Sequence, residues 1–484
     1  MQNEHYWFQW ERQATVHPII MCMEAWMEPM KKEYGKPWPT AVIIYNKDLV
    51  GWYDPWHELL DYGQYAIDIF VQKDKRDELE KEINSQAKAL EGMFIRLDHE
   101  NLSKLSDNKL LATYEELYKK WIRWFVPGGL VEPIGHQGEK LLQKLLDGKV
   151  DTTKAISIIT TTARESFSKR ELKELLEIVL AKQRGQNVIP LLEAHARKYY
   201  WLHNSYFSTE VLGTDFFANE LKLAETKYPD PAKQLKAMEE DTVIAKKEKH
   251  NLFAKLNFNE KERSLVELLD LFAWYQDYRK EYTMRMLHYL DLVLKEIGKH
   301  KGLTLQEMKY TVPSEIKTVV EGTFDKTIAK ERMTRCLFYW DAKTEKFTHG
   351  TGEFSLEKEK EIFHSIKHDN EIVEVSGMVA SKGFVRGIAR VTMSARDAKE
   401  IQKGEILITS MTTPDFVTAM KKAVAVVTNE GGILSHAAVI SREFGIPCIV
   451  GTRIATKVFK TGDLIEVDGE LGVVRKIKGE RSPE

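Results

Sequence analysis

The sequence from 428 to 451 is Thr428-Asn-Glu-Gly-Gly-Ile-Leu-Ser-His-Ala-Ala-Val-Ile-Ser-Arg-Glu-Phe-Gly-Ile-Pro-Cys-Ile-Val-Gly451. Residues 423–427 just before it are rich in valine and predict a buried strand, and residues 448–450 predict another. A glycine pair, a segment with an apolar stripe and a Gly-Ile-Pro stop lie between these two strands. The stretch therefore predicts a strand, a tight turn, a helix, a second turn and a second strand.

His436 lies in the first turn of the predicted helix. Gly431 and Gly432 allow the chain to turn sharply before it, and Ser435 is well placed to cap the helix. A neutral imidazole is a nucleophile near pH 7, and the unpaired N–H groups and positive dipole end of a helix start attract anions. This combination suits a histidine that accepts a phosphoryl group and holds it as phosphohistidine. The alternative is a histidine that only caps the helix.

The residues around His436 resemble the phosphohistidine segment of the phosphoenolpyruvate-utilising enzymes. These include pyruvate phosphate dikinase, phosphoenolpyruvate synthase, the phosphotransferase-system enzyme that phosphorylates its histidine carrier, and the dikinase-like antibiotic phosphotransferases. The chain matches their pattern at Gly431, Gly432, Ser435, His436, Ala437, Ala438, Arg442, Glu443, Gly445, Ile446, Pro447 and Gly451.

The resemblance implies that His436 is the catalytic residue. Its phosphoryl group is expected to be bound by Gly431, Gly432, Leu434 and Ser435. Many family members have threonine where this chain has Leu434. Its loss removes a hydroxyl, and in the dikinase branch a regulatory site, so the match shifts toward the dikinase-like transferases.

Length, charge and cysteine content limit the class of protein. The chain has 484 residues, enough for two or three domains, and a net charge of −2, so no global field attracts nucleic acid or an anionic membrane. Cys22, Cys336 and Cys448 lack disulfide or metal spacing, as is typical of a reducing cytosol, and no metal site is predicted. Neither a signal peptide nor a bilayer-spanning segment is recognisable. We therefore expect a soluble cytoplasmic protein.

Composition changes near residue 370. All 11 tryptophans precede it, whereas 12 of the 28 glycines lie in the last 114 residues, so two folds are implied. A hairpin is predicted over 41–53, followed by helices at about 58–97, 106–124, 136–147, 152–165, 169–183, 187–202, 214–224, 230–254 and 261–298. Residues 372–477 resemble the family's β/β/α swivelling domain. We expect a multidomain chain: 1–340 mainly helical and acceptor-binding, 341–371 a linker, 372–477 the phosphohistidine domain and 478–484 a tail.

The helical region contains candidate acceptor-binding residues. His195, Tyr199 and Trp201 belong to an aromatic cluster that could bind a hydroxylated or aromatic compound, with His195 as a general base. The alternative is an ordinary aromatic core edge. Arg279 could meet a phosphate, although pairing with acidic neighbours explains it equally well. Their order ahead of the histidine segment loosely resembles the acceptor-binding middle region of the dikinase-like phosphotransferases.

Two parts that a dikinase-like enzyme needs are not recognisable in the sequence. There is no Walker loop or ATP-grasp-like region, and no residues follow 484 to form a phosphoenolpyruvate-binding barrel. We therefore expect a phosphotransferase subunit that works with a separate ATP-grasp-type subunit, as in split phenylphosphate-synthase-like systems. Mg²⁺ would be bound with ATP, mainly in that partner. The acceptor would be a small hydroxylated molecule, and the sequence leaves self-association open.

Two other functions remain open at the level of sequence. The chain could be a phosphocarrier or regulator without its own small-molecule acceptor. It could also be a non-catalytic binding module that retains the swivelling domain as a scaffold.

Overall fold

The structure is a computed structural model, and it describes residues 7–150, 155, 158–159, 164–363, 374–393, 395–398, 400–412, 416–431 and 435–477. The chain divides into two compact units. One unit comprises residues 1–12, 51–53 and 360–484, and the other comprises residues 13–50 and 54–359.

Helices dominate the chain up to residue 334, as predicted. Their bounds are α1 Val16–Trp26, α2 Glu28–Tyr34, α3 Trp56–Phe70, α4 Lys73–His99, α5 Asp107–Gly128, α6 Val131–Leu146, α7 Phe167–Gln183, α8 Ile189–Tyr199, α9 Thr214–Lys227, α10 Pro231–Leu256, α11 Glu260–Lys301, α12 Leu305–Lys309, α13 Ile316–Glu321 and α14 Lys326–Thr334. Short 3₁₀ turns lie at Leu102–Lys104 and Pro313–Glu315. The longest helix, α11, starts with a capping box in which Asn259 and Glu262 exchange hydrogen bonds.

The structure does not describe two of the predicted helices as single continuous helices over their predicted ranges. The helix predicted over 58–97 is two helices, because Gln72 has an extended backbone (φ −68°, ψ 121°) that interrupts the helical hydrogen bonds. Most of the helix predicted over 152–165 lies outside the described residues.

A five-stranded sheet accompanies the helices and is larger than the predicted hairpin. It contains β1 Trp7–Gln13, β2 Ala41–Asn46, β3 Leu49–Pro55, β4 Arg335–Asp341 and β5 Lys346–Thr351 in the order β1-β3-β2-β4-β5. The hairpin prediction over 41–53 is confirmed by β2 and β3, and Lys47 takes the positive φ (57°) of their turn. β4 pairs antiparallel with β2 although the two lie far apart in sequence, and such pairing gives no local signal.

The stretch predicted as a linker contains regular structure. Residues 341–371 include β5 and the helix α15 Gly352–Phe363, while 364–371 lie outside the described residues. β5 pairs antiparallel with β4 along its whole length. It therefore extends the five-stranded sheet.

The C-terminal region is rich in strands, in agreement with the expected fold class. Its strands are β6 Glu374–Ser376, β7 Met378–Ser381, β8 Phe384–Val391, β9 Ile406–Thr409, β10 Ala425–Thr428, β11 Cys448–Val450, β12 Leu464–Asp468 and β13 Val473–Lys476. They form one sheet in the order β6-β13-β12-β8-β9-β10-β11-β7. β8, β9, β10 and β11 pair parallel, and the flanking pairs are antiparallel.

Two apolar layers bury the parallel strands on both faces. One layer joins Leu407 and Val426 to helical residues, and the other joins Ile408 and Val427 to strands β12 and β13. Four helices belong to this region: α16 Ala395–Ala398, α17 Val417–Met420, α18 His436–Phe444 and α19 Ala455–Val458. Burial on both faces explains why β9 and β10 are continuous apolar runs rather than alternating ones.

Among the helices of the described residues, none has both the length and the apolar character that crossing a membrane requires.

Candidate functional site

The glycine turn begins at the carboxyl end of β10, in the middle of the parallel strands. In open parallel sheets this edge is where ligands bind. Thr428 Oγ1 donates to the carbonyl oxygen of Glu430 at 2.6 Å, and the backbone N–H of Asn429 donates to the carbonyl of Thr409 at the end of β9. Thr452, after β11, donates to the Thr428 carbonyl through both its N–H and its hydroxyl. The three strand ends are therefore held together where the turn leaves the sheet.

Gly431 has a conformation that few other residues adopt. Its φ is +104°, and a Cβ at this position would lie 2.8 Å from the Cβ of Ser435. Gly451 also packs here, since a Cβ on it would lie 3.0 Å from the carbonyl oxygen of Gly431. These glycines allow the turn to lie directly against the start of α18.

Helix α18 begins at His436, as the sequence predicted. Ser435 is its N-cap, and its Oγ accepts a hydrogen bond from the N–H of Ala438 at 3.4 Å. Ala437 and Ala438 are buried in an apolar layer that includes strand residues of β9, β10 and β11, and Gly445 ends the helix with φ +66°. The backbone of His436 therefore lies in the first turn of a docked helix.

Glu430, between β10 and the glycine turn, is a residue that the sequence reasoning passed over. Its Oε1 accepts a hydrogen bond from Ser410 Oγ at 2.9 Å, and its N–H donates to the Ser410 carbonyl at 2.9 Å. Burial raises the pKa of its carboxyl to about 7, despite the opposing effects of Arg12 and the Ser410 hydrogen bond. A carboxylate placed between a buried strand and a glycine turn was the available sequence signal.

The predicted acceptor residues His195, Tyr199 and Trp201 lie in one apolar cluster formed by α7 to α10. Each is at most 4% exposed. His195 Nε2 lies 3.0 Å from Oε1 of Glu171, and its ring packs against Tyr199 and Phe217 at 4.7 and 4.9 Å. The structure thus brings these three residues together in a core. Their role in binding an acceptor stays a prediction.

Arg279 lies in α11 and contacts other elements. Its Nη1 donates to the carbonyl oxygen of Gly128 at the end of α5 at 2.5 Å, and its Nη2 pairs with Glu132 at 3.3 Å. The guanidinium therefore satisfies a helix end and an acidic neighbour. Its contact with an acceptor phosphate also stays a prediction.

Two of the four predicted phosphate-binding residues lie within the described part of the chain. Gly431 and Ser435 occupy the turn and the helix cap, whereas Gly432 and Leu434 lie outside the described residues. Within the described ranges, no group of three or more His, Cys, Asp or Glu side chains is arranged to hold a metal ion.

Comparison with known proteins identifies the C-terminal region. Residues 401–472 match the family described as "PEP-utilising enzyme, mobile domain". The "Probable phosphoenolpyruvate synthase" of Archaeoglobus fulgidus is 47% identical over 110 residues, which are 23% of this chain and 15% of that protein. The phosphoenolpyruvate synthase of Pyrococcus furiosus is 51% identical over 104 residues, which are 22% of this chain and 13% of that protein.

The match thus spans about one seventh of these relatives' length. Among solved structures, holo aconitase X from Thermococcus kodakaraensis matches with 20% sequence identity and a TM-score of 0.19. The match covers 22% of this chain and 98% of the aconitase X chain.

Proposed function

We propose that this chain, a member of the phosphoenolpyruvate-utilising enzyme family through its C-terminal mobile domain, is a phosphotransferase subunit that carries a phosphoryl group on His436. The observation that carries this proposal is the combination of the family match over 401–472 with a glycine turn and a capped helix at the carboxyl edge of parallel strands. His436 is the first residue of that helix.

The chemistry needs two balanced transfers. A ring nitrogen of His436 uses its lone pair to form a bond to phosphorus while the donor's P–O bond breaks and the donor oxygen leaves with the electron pair. In the second transfer an acceptor hydroxyl oxygen bonds to phosphorus, the P–N bond breaks, and the hydroxyl proton passes to a base. The histidine is regenerated and the phosphoryl group has moved from donor to acceptor.

The start of α18 supplies part of the environment for this group. The N–H groups of a first helical turn have no intrahelical partners, and Ser435 Oγ accepts the one from Ala438. The other N–H groups and the helix dipole can stabilise the phosphoryl oxygens without a charged side chain.

We propose that the donor is ATP, bound and split by a separate ATP-grasp-type subunit, and that the mobile domain swivels between that subunit and the acceptor. This proposal rests on the resemblance to split dikinase-like systems. Mg²⁺ would accompany the nucleotide in the partner.

The acceptor is proposed to be a small hydroxylated molecule bound by the helical region, with His195, Tyr199, Trp201 and Arg279 as the predicted contacts. Since the first three are buried in a core and Arg279 is hydrogen-bonded to Gly128, an acceptor would reach them only if neighbouring side chains move. Direct contact therefore requires an opening of the cluster between α7 and α10.

Phosphoenolpyruvate is the alternative to ATP as the donor of the phosphoryl group.

Labelling in an extract of the native host tests the proposal. Wild-type protein and His436→Ala are incubated separately with β-labelled ATP, γ-labelled ATP and labelled phosphoenolpyruvate. We expect acid-labile, base-stable label on the wild type only, and the labelled position identifies the donor route. If none of the three donors labels the wild type, in an extract that supports another histidine phosphotransfer, the phosphotransferase proposal fails.

The same experiment separates the two alternative functions. A phosphocarrier would become labelled, and its label would pass to a protein rather than to a small molecule. A scaffold would remain unlabelled, and His436→Ala would keep its biological activity.

A further inference from the structure

We propose that Glu430 is a positioning residue whose carboxyl regulates phosphoryl uptake: Ser410 holds it against the start of the glycine turn, and in its ionised form it opposes the arrival of an anion at α18. This inference rests on the proposed function, because it concerns the phosphoryl group of His436. It adds to that function a residue and a form of control that the phosphohistidine motif does not specify.

Glu430 connects two strand ends. Its backbone N–H and its Oε1 both bond to Ser410, which follows β9, and its carbonyl oxygen accepts from Thr428 at the end of β10. Ser410 is 4% exposed and Thr428 is fully buried, so these anchors belong to the rigid part of the sheet. Glu430 is therefore fixed through three separate groups immediately before the turn.

Glu430 also lies near the start of helix α18. Gly431, the next residue, packs against Ser435, the N-cap of α18, so closely that a Cβ would lie 2.8 Å from the Ser435 Cβ. Since adjacent Cα atoms are about 3.8 Å apart, the Cα of Glu430 lies within roughly 10 Å of the helix start. At that distance a negative charge repels a phosphoryl anion and offsets the attraction of the helix dipole.

The charge of the Glu430 carboxyl can change under physiological conditions. Burial raises the pKa of the Glu430 carboxyl to about 7. Arg12, the Ser410 hydroxyl and the N–H of Glu11, which lies 3.5 Å from Oε1, lower this pKa, whereas the Glu11 carboxylate raises it. Glu11 and Arg12 cluster in the same compact unit as Glu430.

The protonation state of Glu430 predicts the direction in which phosphoryl uptake changes with pH. Below about pH 7 the carboxyl is neutral and does not oppose the incoming anion, and above about pH 7 it is ionised and does. Glu430→Gln keeps an oxygen that can accept from Ser410 but carries no charge at any pH. The ratio of phosphoryl uptake by Glu430→Gln to uptake by wild type should therefore rise with pH.

The test uses the full chain with potassium phosphoramidate, a small donor that needs no partner protein. A ring nitrogen of His436 bonds to phosphorus, the P–N bond of the donor breaks, and ammonia leaves and takes up a proton from the phosphorylated imidazolium as ammonium. Initial rates are measured from about pH 6 to about pH 8.5, and the rate of His436→Ala is subtracted to remove other histidines. Titration of the donor is the same for wild type and variant, so it cancels in their ratio.

We expect the ratio to be near one at the acidic end and to rise several-fold, with a midpoint near the pKa of Glu430. The matched control is Glu470→Gln, which removes an exposed carboxylate of the same region and should keep a flat ratio. A flat ratio for Glu430→Gln with normal labelling of the wild type would overturn this inference and leave the proposed function intact. If wild type and His436→Ala react alike, the proposed function itself fails.

A second measurement distinguishes control by charge from a purely structural role. Carbon-13 NMR of the glutamate carboxyls follows Glu430 directly, assigned by its absence in Glu430→Gln. Because the Ser410 hydroxyl donates to the carboxyl, Ser410→Ala should move the Glu430 midpoint to higher pH. An unchanged midpoint in Ser410→Ala, or a Glu430 midpoint in the ordinary glutamate range, would refute the regulatory role.

Discussion

His17 shows how strongly burial changes the chemistry of one residue. It lies in α1 with no exposed surface, its Nδ1 lies 3.0 Å from Oγ1 of Thr311, and its Nε2 lies 2.9 Å from the hydroxyl of Tyr114. Burial, with the nearby charge of Arg332, lowers the pKa of the imidazole to about 3, although the Thr311 carbonyl opposes that shift. The folded protein therefore holds His17 neutral throughout the physiological range.

This residue predicts a pH dependence of stability. Between about pH 6.5 and pH 3 the unfolded chain binds a proton at His17 and the folded chain does not, so the free energy of unfolding falls as pH falls through this window. The loss attributable to His17 is up to about 5 kcal/mol. His17→Gln should remove this part of the slope, as measured by urea unfolding at a series of pH values.

The control for that measurement is His203→Gln. His203 is about half exposed, so its replacement removes a histidine without disturbing a buried core. Its replacement should leave the pH slope unchanged. Equal slopes for His17→Gln and wild type would contradict the buried, neutral state of His17.

At the scale of elements, the glycine turn before α18 depends on the missing side chain of Gly431 in two ways. Its φ of +104° is unfavourable for any other residue, and the space where a Cβ would lie is occupied by Ser435. Gly462 has a similar φ of +98°, but nothing lies within 4 Å of its absent Cβ. The two positions therefore separate backbone strain from steric contact.

We expect Gly431→Ala to destabilise the C-terminal region more than Gly462→Ala does. The strained backbone should cost each variant about 1 to 3 kcal/mol, and the contact with Ser435 should add at least about 1 kcal/mol to Gly431→Ala. Denaturant unfolding followed by far-ultraviolet circular dichroism gives both values. Equal decreases in the free energy of unfolding would mean that the turn moves away from Ser435 without a free-energy cost.

At the scale of the whole molecule, the chain forms two compact units with separate apolar cores. His17 belongs to the unit of residues 13–50 and 54–359, and Gly431 belongs to the unit that contains residues 360–484. Substitutions at distant sites without shared partners have additive effects on stability. The two variants can therefore report on the two units separately.

Scanning calorimetry should resolve two unfolding transitions. His17→Gln, measured near pH 5, should shift only one of them and Gly431→Ala only the other. The double variant should show both shifts with unchanged size, within about 0.5 kcal/mol. A single transition that both substitutions move would mean that the two units unfold as one cooperative block.

Several features of this protein could be predicted from local sequence because their causes are local. A glycine pair, a capping serine and a Gly-Ile-Pro stop indicated where α18 begins and ends, and the apolar runs at 425–428 and 448–450 indicated the strands on either side. The hairpin of β2 and β3 was predictable for the same reason. The family resemblance predicted over residues 372–477, within which the family match over 401–472 lies, likewise depends on a contiguous motif.

The candidate acceptor residues illustrate what local pattern could not decide. His195, Tyr199 and Trp201 form the same aromatic pattern whether they line a cavity or pack in a core. Only the packing of α7, α8 and α9 around them shows that they are buried. The contacts of Arg279 could not be predicted from local sequence either, because its hydrogen bond to Gly128 joins residues about 150 positions apart.

The sequence by itself determined the helical region, the strand-rich C-terminal region and the position of His436 at a helix start, because short-range periodicity, caps and turn residues specify these features. Only the tertiary structure decided that β4 and β5 complete a sheet with β2, that the aromatic cluster is a core, and that Ser410 meets Glu430. Each of these depends on contacts between distant parts of the chain. Burial, and with it the pKa of Glu430, arises only when those parts come together.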